Sequence, residues 1–230
     1  MKIIWLGHSG FRIEIERAVL LVDPWLEGNP VFPKGREAEA TAGATHILVT
    51  HGHGDHAANA LTIAKKQGIP IACIHELSDI FAADGAESIG FGKGGTVELA
   101  GARVSMVNAC HSASIDYKGF PLGAAGSEAG FMIAGDGHMI YVTGDTTIMA
   151  DMGWMGEYYR PDIGILCAGG HYTMDMKMGA WAAKKYFNFK TVIPCHYKTF
   201  PILAQSAEEL KAGLPGVNVV EPEVLGVIEV

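Results

Sequence analysis

Residues Thr45–His56, THILVTHGHGDH, join a short apolar run to three histidines and an aspartate that are separated only by Gly52 and Gly54. Thr45–Thr50 reads as a buried strand, and it feeds straight into His51-Gly52-His53-Gly54-Asp55-His56. Imidazole and carboxylate together suit zinc, manganese or iron, and no thiolate in the run points to a purely structural zinc cage. Glycine lacks a Cβ, so the chain can turn tightly after the strand and let several side chains converge on one point. A solvated polar loop or an affinity tag would explain histidines alone. A tag sits at a terminus and lacks the aspartate, so the run is read as a metal site.

Outward from this run the chain alternates strands and helices. Lys2–Leu6, Phe11–Glu16 and Val19–Val22 read as strands, the last ended by Asp23-Pro24, and a Gly- and Pro-rich loop spans roughly Glu27–Gly43. Helical spacing covers Ala57–Gln67 and stops at Gly68; a strand at Ile69–Ile74, a helix at Glu76–Ala83 and strands at Thr96–Leu99 and Arg103–Asn108 follow. The second half repeats the rhythm. Gly130–Ala134 and Met139–Thr143 form a hairpin about Gly135-Asp136-Gly137, then come strand Asp162–Leu166, helix Met174–Phe187 and strand Thr191–Pro194. A helix near Ala207–Ala212 and strands near Val217–Val220 and Val227–Val230 close the chain. Two β-rich halves with helices between strands predict two packed sheets with helices outside, as one domain over residues 1–230.

With 230 residues, 49% hydrophobic and 18% charged, the chain can bury a substantial core. The net charge of −8 argues against a nucleic-acid or anionic-membrane partner, since phosphate contacts need clustered Lys and Arg. The basic doublets Lys65-Lys66 and Lys184-Lys185 read as exposed helix faces. No apolar stretch approaches the ~20 residues needed to span a bilayer. The N-terminal apolar stretch is interrupted by His8 and reads as a strand, not a signal peptide. Cys73, Cys110, Cys167 and Cys195 are scattered without a CxxC pair, which fits reduced thiols in the cytoplasm. Cys110 and Cys195 each precede a histidine, and in extended chain their sulfurs are expected to point into the core.

The other candidate ligands fall at matching places. His111 follows RVSMVN, Asp145 follows MIYVTG and His196 follows TVIPC, each just past the end of a buried strand, as His51 does. If those strands run side by side, their ends share one sheet edge and distant side chains meet there. Taken singly, His111 is a polar loop residue, Asp145 a helix cap before Thr146, and His196 a core histidine.

HGHGDH, then a lone His, then Gly-Asp after a strand, then a late His after a strand, resembles the metallo-β-lactamase superfamily. GHSGFRIE, DPWLEGNP, the GDT and PCHYKTFP resemble its branch of largely uncharacterised metal-dependent hydrolases, with ascorbate-phosphate lactonases and N-acyl phosphatidylethanolamine phospholipases as more distant relatives. The resemblance implies an α/β fold, an αββα four-layer sandwich, with two metal ions at one edge. It implies that His51, His53 and His111 hold one ion, that Asp55, His56 and His196 hold the other, and that Asp145 bridges both. It further implies a shared water activated by the pair, with Asp55 accepting a hydrogen bond from it. Zinc is the expected ion, with manganese or iron as alternatives.

Three further positions are candidates. His8 and Asp23 each follow a strand and are placed to support the ligands, Asp23 through the free N–H of an imidazole; its plain alternative is a turn residue before Pro24. His171, in Gly169-Gly170-His171-Tyr172, either serves as proton donor to the leaving group, binds substrate phosphate, or merely leads a helix on the surface. The resembling sequences more often carry Asp-Asn in this loop. Met149, Met152, Trp154, Met155, Tyr158 and Tyr159 are read as core packing first, with a flap or a subunit contact, hence a homo-oligomer, as alternatives.

The expected activity is hydrolysis of a small ester, lactone or phosphodiester. A di-iron oxidoreductase on the same fold is the alternative, against which His53 counts, since iron versions typically carry Glu there. A non-catalytic metal-binding module is the third reading.

Overall fold

The structure, a computed structural model, describes residues 1–118 and 123–230. The chain opens with a meander of β1 (Lys2–Gly7), β2 (Gly10–Ile15) and β3 (Ala18–Val22), followed by α1 (Glu37–Thr41) and β4 (His46–Leu48). Then come α2 (Gly54–Ala57), α3 (Ala60–Gln67), β5 (Ile71–Ile74), α4 (His75–Ala83) and β6 (Ser88–Phe91). The second half runs β7 (Thr96–Leu99), β8 (Ala102–Asn108), β9 (Ala129–Gly135), β10 (His138–Val142), α5 (Asp151–Tyr159) and β11 (Ile163–Cys167). It continues through α6 (Met176–Tyr186), β12 (Thr191–Cys195), α7 (Glu208–Gly213) and β13 (Asn218–Val219), and ends with β14 (Val227–Glu229).

These strands form two sheets, ordered β14-β1-β2-β3-β4-β5-β6 and β13-β12-β11-β10-β9-β8-β7. Both are mixed in the same way: β1–β2–β3 and β7–β8–β9–β10 pair antiparallel, whereas β3–β4–β5–β6 and β10–β11–β12–β13 pair parallel. α3 and α4 pack on the first sheet and α6 on the second, and one contiguous apolar cluster runs through both sheets and their helices. This helix–sheet–sheet–helix layering is the expected one.

Local sequence explains each kind of strand. β11 (IGILC) and β12 (TVIPC) are buried at every position, as parallel strands covered on both faces require. β2 alternates instead: Phe11, Ile13 and Ile15 face the core, while Arg12 and Glu14 pair on the outer face at 2.7 Å. The β9–β10 hairpin closes over Asp136 (φ 48°) and Gly137 (φ 79°), two left-handed residues whose twist matches the strands. α3 ends at Gly68 (φ 66°), which accepts the left-handed cap without a Cβ clash. Lys65-Lys66 and Lys184-Lys185 lie exposed in the last turns of α3 and α6.

Several features depart from the sequence reading, among them strand β6 (Ser88–Phe91), which it did not contain. The helix expected over Ala57–Gln67 is two pieces, α2 and α3, so Asp55 and His56 are themselves helical. α1 falls inside the stretch taken as loop; its acidic first turn and exposed face gave little apolar periodicity to read. Cys195 is buried as expected, but Cys110 is exposed. β8 ends at Asn108, so the alternation of extended chain no longer applies at Cys110. The Met- and aromatic-rich stretch becomes α5, which buries Met152 and Met155 and leaves Trp154 and Tyr158 outside.

Candidate metal centre

Because β1 and β3 are both antiparallel to β2, and β4 is parallel to β3, the C-terminal ends of β1, β3 and β4 lie at one edge. The same holds for β8, β10, β11 and β12 in the second sheet. His8, Asp23 and the His51 run leave the first edge; His111, Asp145, His171 and His196 leave the second. Main-chain bonds clip the two edges together: Ala129 N–H donates to Thr50 O (3.0 Å) and His196 N–H to His8 O (3.0 Å). Two glycines let the strand ends of the second edge pack closely, and Gly144 also meets Thr50 across the seam. A Cβ on Gly144 would lie 2.4 Å from Ala129 O, and one on Gly169 only 1.7 Å from His196 O.

Seven predicted side chains meet at this seam. Asp145 Oδ2 lies 3.0 Å from His196 Nε2, 3.4 Å from His56 Nε2 and 3.6 Å from His111 Nε2. His51 Nε2 is 3.0 Å from His53 Nδ1, and Asp55 is 3.7 Å from His196 Nε2 and 3.9 Å from His56 Nε2. The loops are pinned individually. Asp116 Oδ1 accepts from Gly54 N–H at the start of α2 (2.7 Å), Glu128 Oε1 from His111 N–H (2.9 Å), and Thr146 Oγ1 from Cys110 N–H (2.9 Å).

Two buried networks stand behind these residues. Asp23 Oδ1 accepts from Thr50 N–H at 2.8 Å; its Oδ2 accepts from Thr50 Oγ1–H at 2.7 Å and from His56 Nδ1–H at 2.8 Å. Thr50 Oγ1 in turn accepts from His51 Nδ1–H at 3.0 Å. Asp23 therefore keeps Nδ1 of both His51 and His56 as the proton-bearing nitrogen, so that each Nε2 is the atom facing the seam. His8 forms the second network, with Nε2 2.9 Å from Asp55 Oδ2 and Nδ1 2.9 Å from Thr199 Oγ1. His8, Asp23 and His196 all hold left-handed backbone (φ 54°, 44° and 57°), a conformation that costs on the order of 1 kcal/mol for such residues and clusters at working sites.

Charge follows the geometry. Burial, reinforced by the surrounding imidazoles, holds His51 well below the usual histidine range, and burial brings His8 down to about 4 despite its bond to Asp55. Burial also works against a charged His56, but Asp145, Asp23 and Asp55 together push its pKa well up. Burial would raise Asp145, yet His196 and His56 hold it well below the carboxylate range. Without a cation the seam is thus a protonated His56 between carboxylates, with His51 and His8 neutral.

The residues fit divalent cations. His56 Nε2 and Asp145 Oδ1 are buried with no hydrogen-bond partner, a cost of about 1–3 kcal/mol each unless another group takes them. Ligand atoms of His51, His53 and His111 lie within 4.8 Å of one another; so do those of His51, His56 and Asp145, and those of His8, Asp55, His56 and His196. Both nitrogens of His8 are already partnered, which makes it a support and not a ligand. All-imidazole and carboxylate donors suit zinc, manganese or iron.

The seam opens into a cleft of about 450 Å³ lined by Trp25, His53, Gly54, Asp55, His111, Ser112, Asp116, Asp145, Tyr172, His196 and Phe200. His171 is not among these. It is exposed, its ring packs edge-on against Tyr172 (4.5 Å), and the neighbour Tyr172 faces the cleft instead. Thr50, Asp116, Glu128 and Thr199 carry no sequence signature of their own, because their roles arise from contacts across the seam. Trp25, two residues after Asp23, was findable by its position past a strand end.

Residues 19–197 match a family described as the beta-lactamase superfamily domain. The chain is 66% identical over 226 residues to a UPF0173 metal-dependent hydrolase of Paracoccus denitrificans, covering 98% of each protein. It is 67% identical over 226 residues to a similarly named protein of Cereibacter sphaeroides, again covering 98% of each. Among solved structures it is similar to Igni18, a metallo hydrolase from the archaeon Ignicoccus hospitalis, with 31% identity, a TM-score of 0.84 and coverage of 100% of this chain and 98% of that one.

Proposed function

The chain belongs to the beta-lactamase superfamily, and on that premise we propose that it uses two divalent metal ions to hydrolyse a small ester, lactone or phosphodiester. Its relatives at 66% and 67% identity are named metal-dependent hydrolases, and it is one of that family. In this reading His51, His53 and His111 hold one ion, Asp55, His56 and His196 the other, and Asp145 belongs to both sets. The supporting observation is Asp145 itself: a buried carboxylate within 3.6 Å of His56, His111 and His196, one oxygen of which has no partner. When bound, divalent ions supply Lewis acidity, lowering the pKa of a water toward neutrality and polarising a carbonyl or phosphoryl group.

The protein's own part is orientation and proton placement. Asp23 and Thr50 keep the Nδ1 proton on two imidazoles, so neither ring has to turn when the site is filled and His56 gives up only its Nε2 proton. Asp55, steered by His8, faces the cleft as an acceptor for a proton-bearing nucleophile. His171 is assigned to the rim, where Tyr172 lies between it and the cleft.

Protein stripped of metal, reloaded with zinc or with manganese and assayed on a panel of esters, lactones and phosphodiesters tests the reading. Turnover dependent on the added metal supports it; no turnover on any member defeats it. A thermodynamic consequence follows from the raised pKa of His56. At pH 7 the metal-free protein carries that proton, and a cation must displace it, so affinity is expected to rise with pH up to the His56 pKa. Calorimetric zinc titration in buffers of differing ionisation enthalpy should show about one proton released as the site containing His56 fills. Zero release at pH 7 would contradict the arrangement.

A further inference from the structure

Trp25, Phe200 and Tyr172 form an aromatic wall beside the cluster. The Trp25 and Phe200 rings lie 6.1 Å apart at 36°, both meet His8 edge-on (5.4 and 5.8 Å), and Tyr172 stands 6.3 Å from the His196 ring. All three remain partly or largely exposed, open toward the cleft. Apolar rings left uncovered at the mouth of a polar cluster are costly to keep wet and are characteristic of ligand sites.

The backbone segments that carry Trp25 and Phe200 are tied down by hydrogen bonds. Trp25 N–H donates to Asp23 O (2.8 Å) and its carbonyl accepts from buried Asn29 (3.0 Å), while Asn59 Oδ1 accepts from Leu26 and Glu27 N–H (2.6 and 2.8 Å). Phe200 O accepts from Leu203 N–H (3.0 Å) and Gln205 (2.9 Å). A fixed wall loses little freedom when a ligand docks.

The charges point the same way. Among the described lining residues there is no Lys or Arg. The start of α2, which would otherwise offer N–H groups to an anion, is taken by the Asp116 carboxylate through Gly54 N–H (2.7 Å). A phosphate or carboxylate on the far part of a substrate would meet Asp116 and no counter-charge. We propose that the Trp25–Phe200–Tyr172 wall is a subsite for an uncharged, apolar substituent, aryl or bulky alkyl, so that the natural substrate is a neutral ester or lactone and not a sugar phosphate or other distally anionic molecule.

This rests on the hydrolase reading, and the test separates the two. Zinc-loaded protein is assayed on ethyl acetate, benzyl acetate and 4-phosphonobenzyl acetate. In each, water adds to the acyl carbon and the acyl–oxygen bond breaks, giving acetate, a proton and the free alcohol. Benzyl acetate is expected to exceed ethyl acetate in kcat/KM by about tenfold, the size of one well-placed aromatic contact, and to exceed the phosphono ester likewise. Trp25→Leu and Phe200→Leu, on separate segments, should each collapse the benzyl-to-ethyl ratio. Saturation-transfer NMR with benzyl alcohol on the same proteins reads the subsite without turnover: signal in the wild type, weakened in both variants. Saturation transfer with no turnover of these esters or of any member of the lactone and phosphodiester panel sinks the hydrolase reading and keeps the subsite. Turnover without a benzyl preference, or with the phosphono ester as good a substrate as benzyl acetate, overturns the subsite.

Discussion

Asp145→Ala will leave the protein folded but unable to retain its metal complement. Asp145 Oδ2 lies within 3.6 Å of His56, His111 and His196, so its removal unties both proposed ligand sets at once. The carboxylate also supplies the largest attraction that keeps His56 charged in the metal-free state. Without it the imidazoles of the seam lose their central counter-charge, and a cation loses the donor common to both positions. Loss of a supporting residue around a metal typically costs 10–100-fold in affinity, so loss of a shared ligand should exceed about 100-fold, with hydrolysis falling at least as far. His51→Ala should behave alike, because His51 reaches two of the converging groups. The fold should survive, since the apolar cluster spanning both sheets contains neither residue. Metal content by mass spectrometry after dialysis, with circular dichroism on the same sample, reads both halves of the expectation. Full metal retention in either variant would remove the assignment.

The sequence made the strand ends legible because buried parallel strands are uniformly apolar and their ends are punctuated. HILVT before His51, MIYVTG before Asp145 and TVIPC before His196 each mark where the chain leaves the core, and the sheets bring those ends to one edge. The layering followed for the same reason. What sequence did not carry is whatever depends on contacts between the halves. Thr199 matters because it meets His8 191 positions away, and Asp116 because it meets Gly54 62 positions away. Neither has a pattern that periodicity or spacing would single out. His171 shows the converse hazard: it too follows a strand end, but four residues beyond β11, where its ring is exposed and the cleft is lined by Tyr172. Strand-end position selects candidates, and the turn that follows decides which side chain enters.

Asp23→Asn is the sharper experiment, because it changes one atom and keeps the shape. Asparagine tolerates the left-handed backbone of this position as well as aspartate does, and the side-chain volume is nearly unchanged. The Asn oxygen will keep the bond from Thr50 N–H, which places the new NH2 where Oδ2 stood, facing Thr50 Oγ1 and His56 Nδ1. Two donors cannot share that contact with His56, so the ring must give up its Nδ1 proton, offer Nδ1 as acceptor and keep the proton on Nε2. Thr50, now receiving a hydrogen bond, is freed to donate to His51 Nδ1, and His51 shifts in the same direction. Both imidazoles then turn an N–H toward the seam where a lone pair is needed. The expected result is a loss of about 10–100-fold in metal affinity by chelator competition, with only a small change in melting temperature of the metal-free protein. Asp23→Ala should lose affinity too but also stability, about 1–3 kcal/mol for each buried donor left unpaired. Wild-type affinity in the asparagine variant would show that the tautomers are not set from Asp23, and the supporting role of the Asp23–Thr50 pair would fall with it.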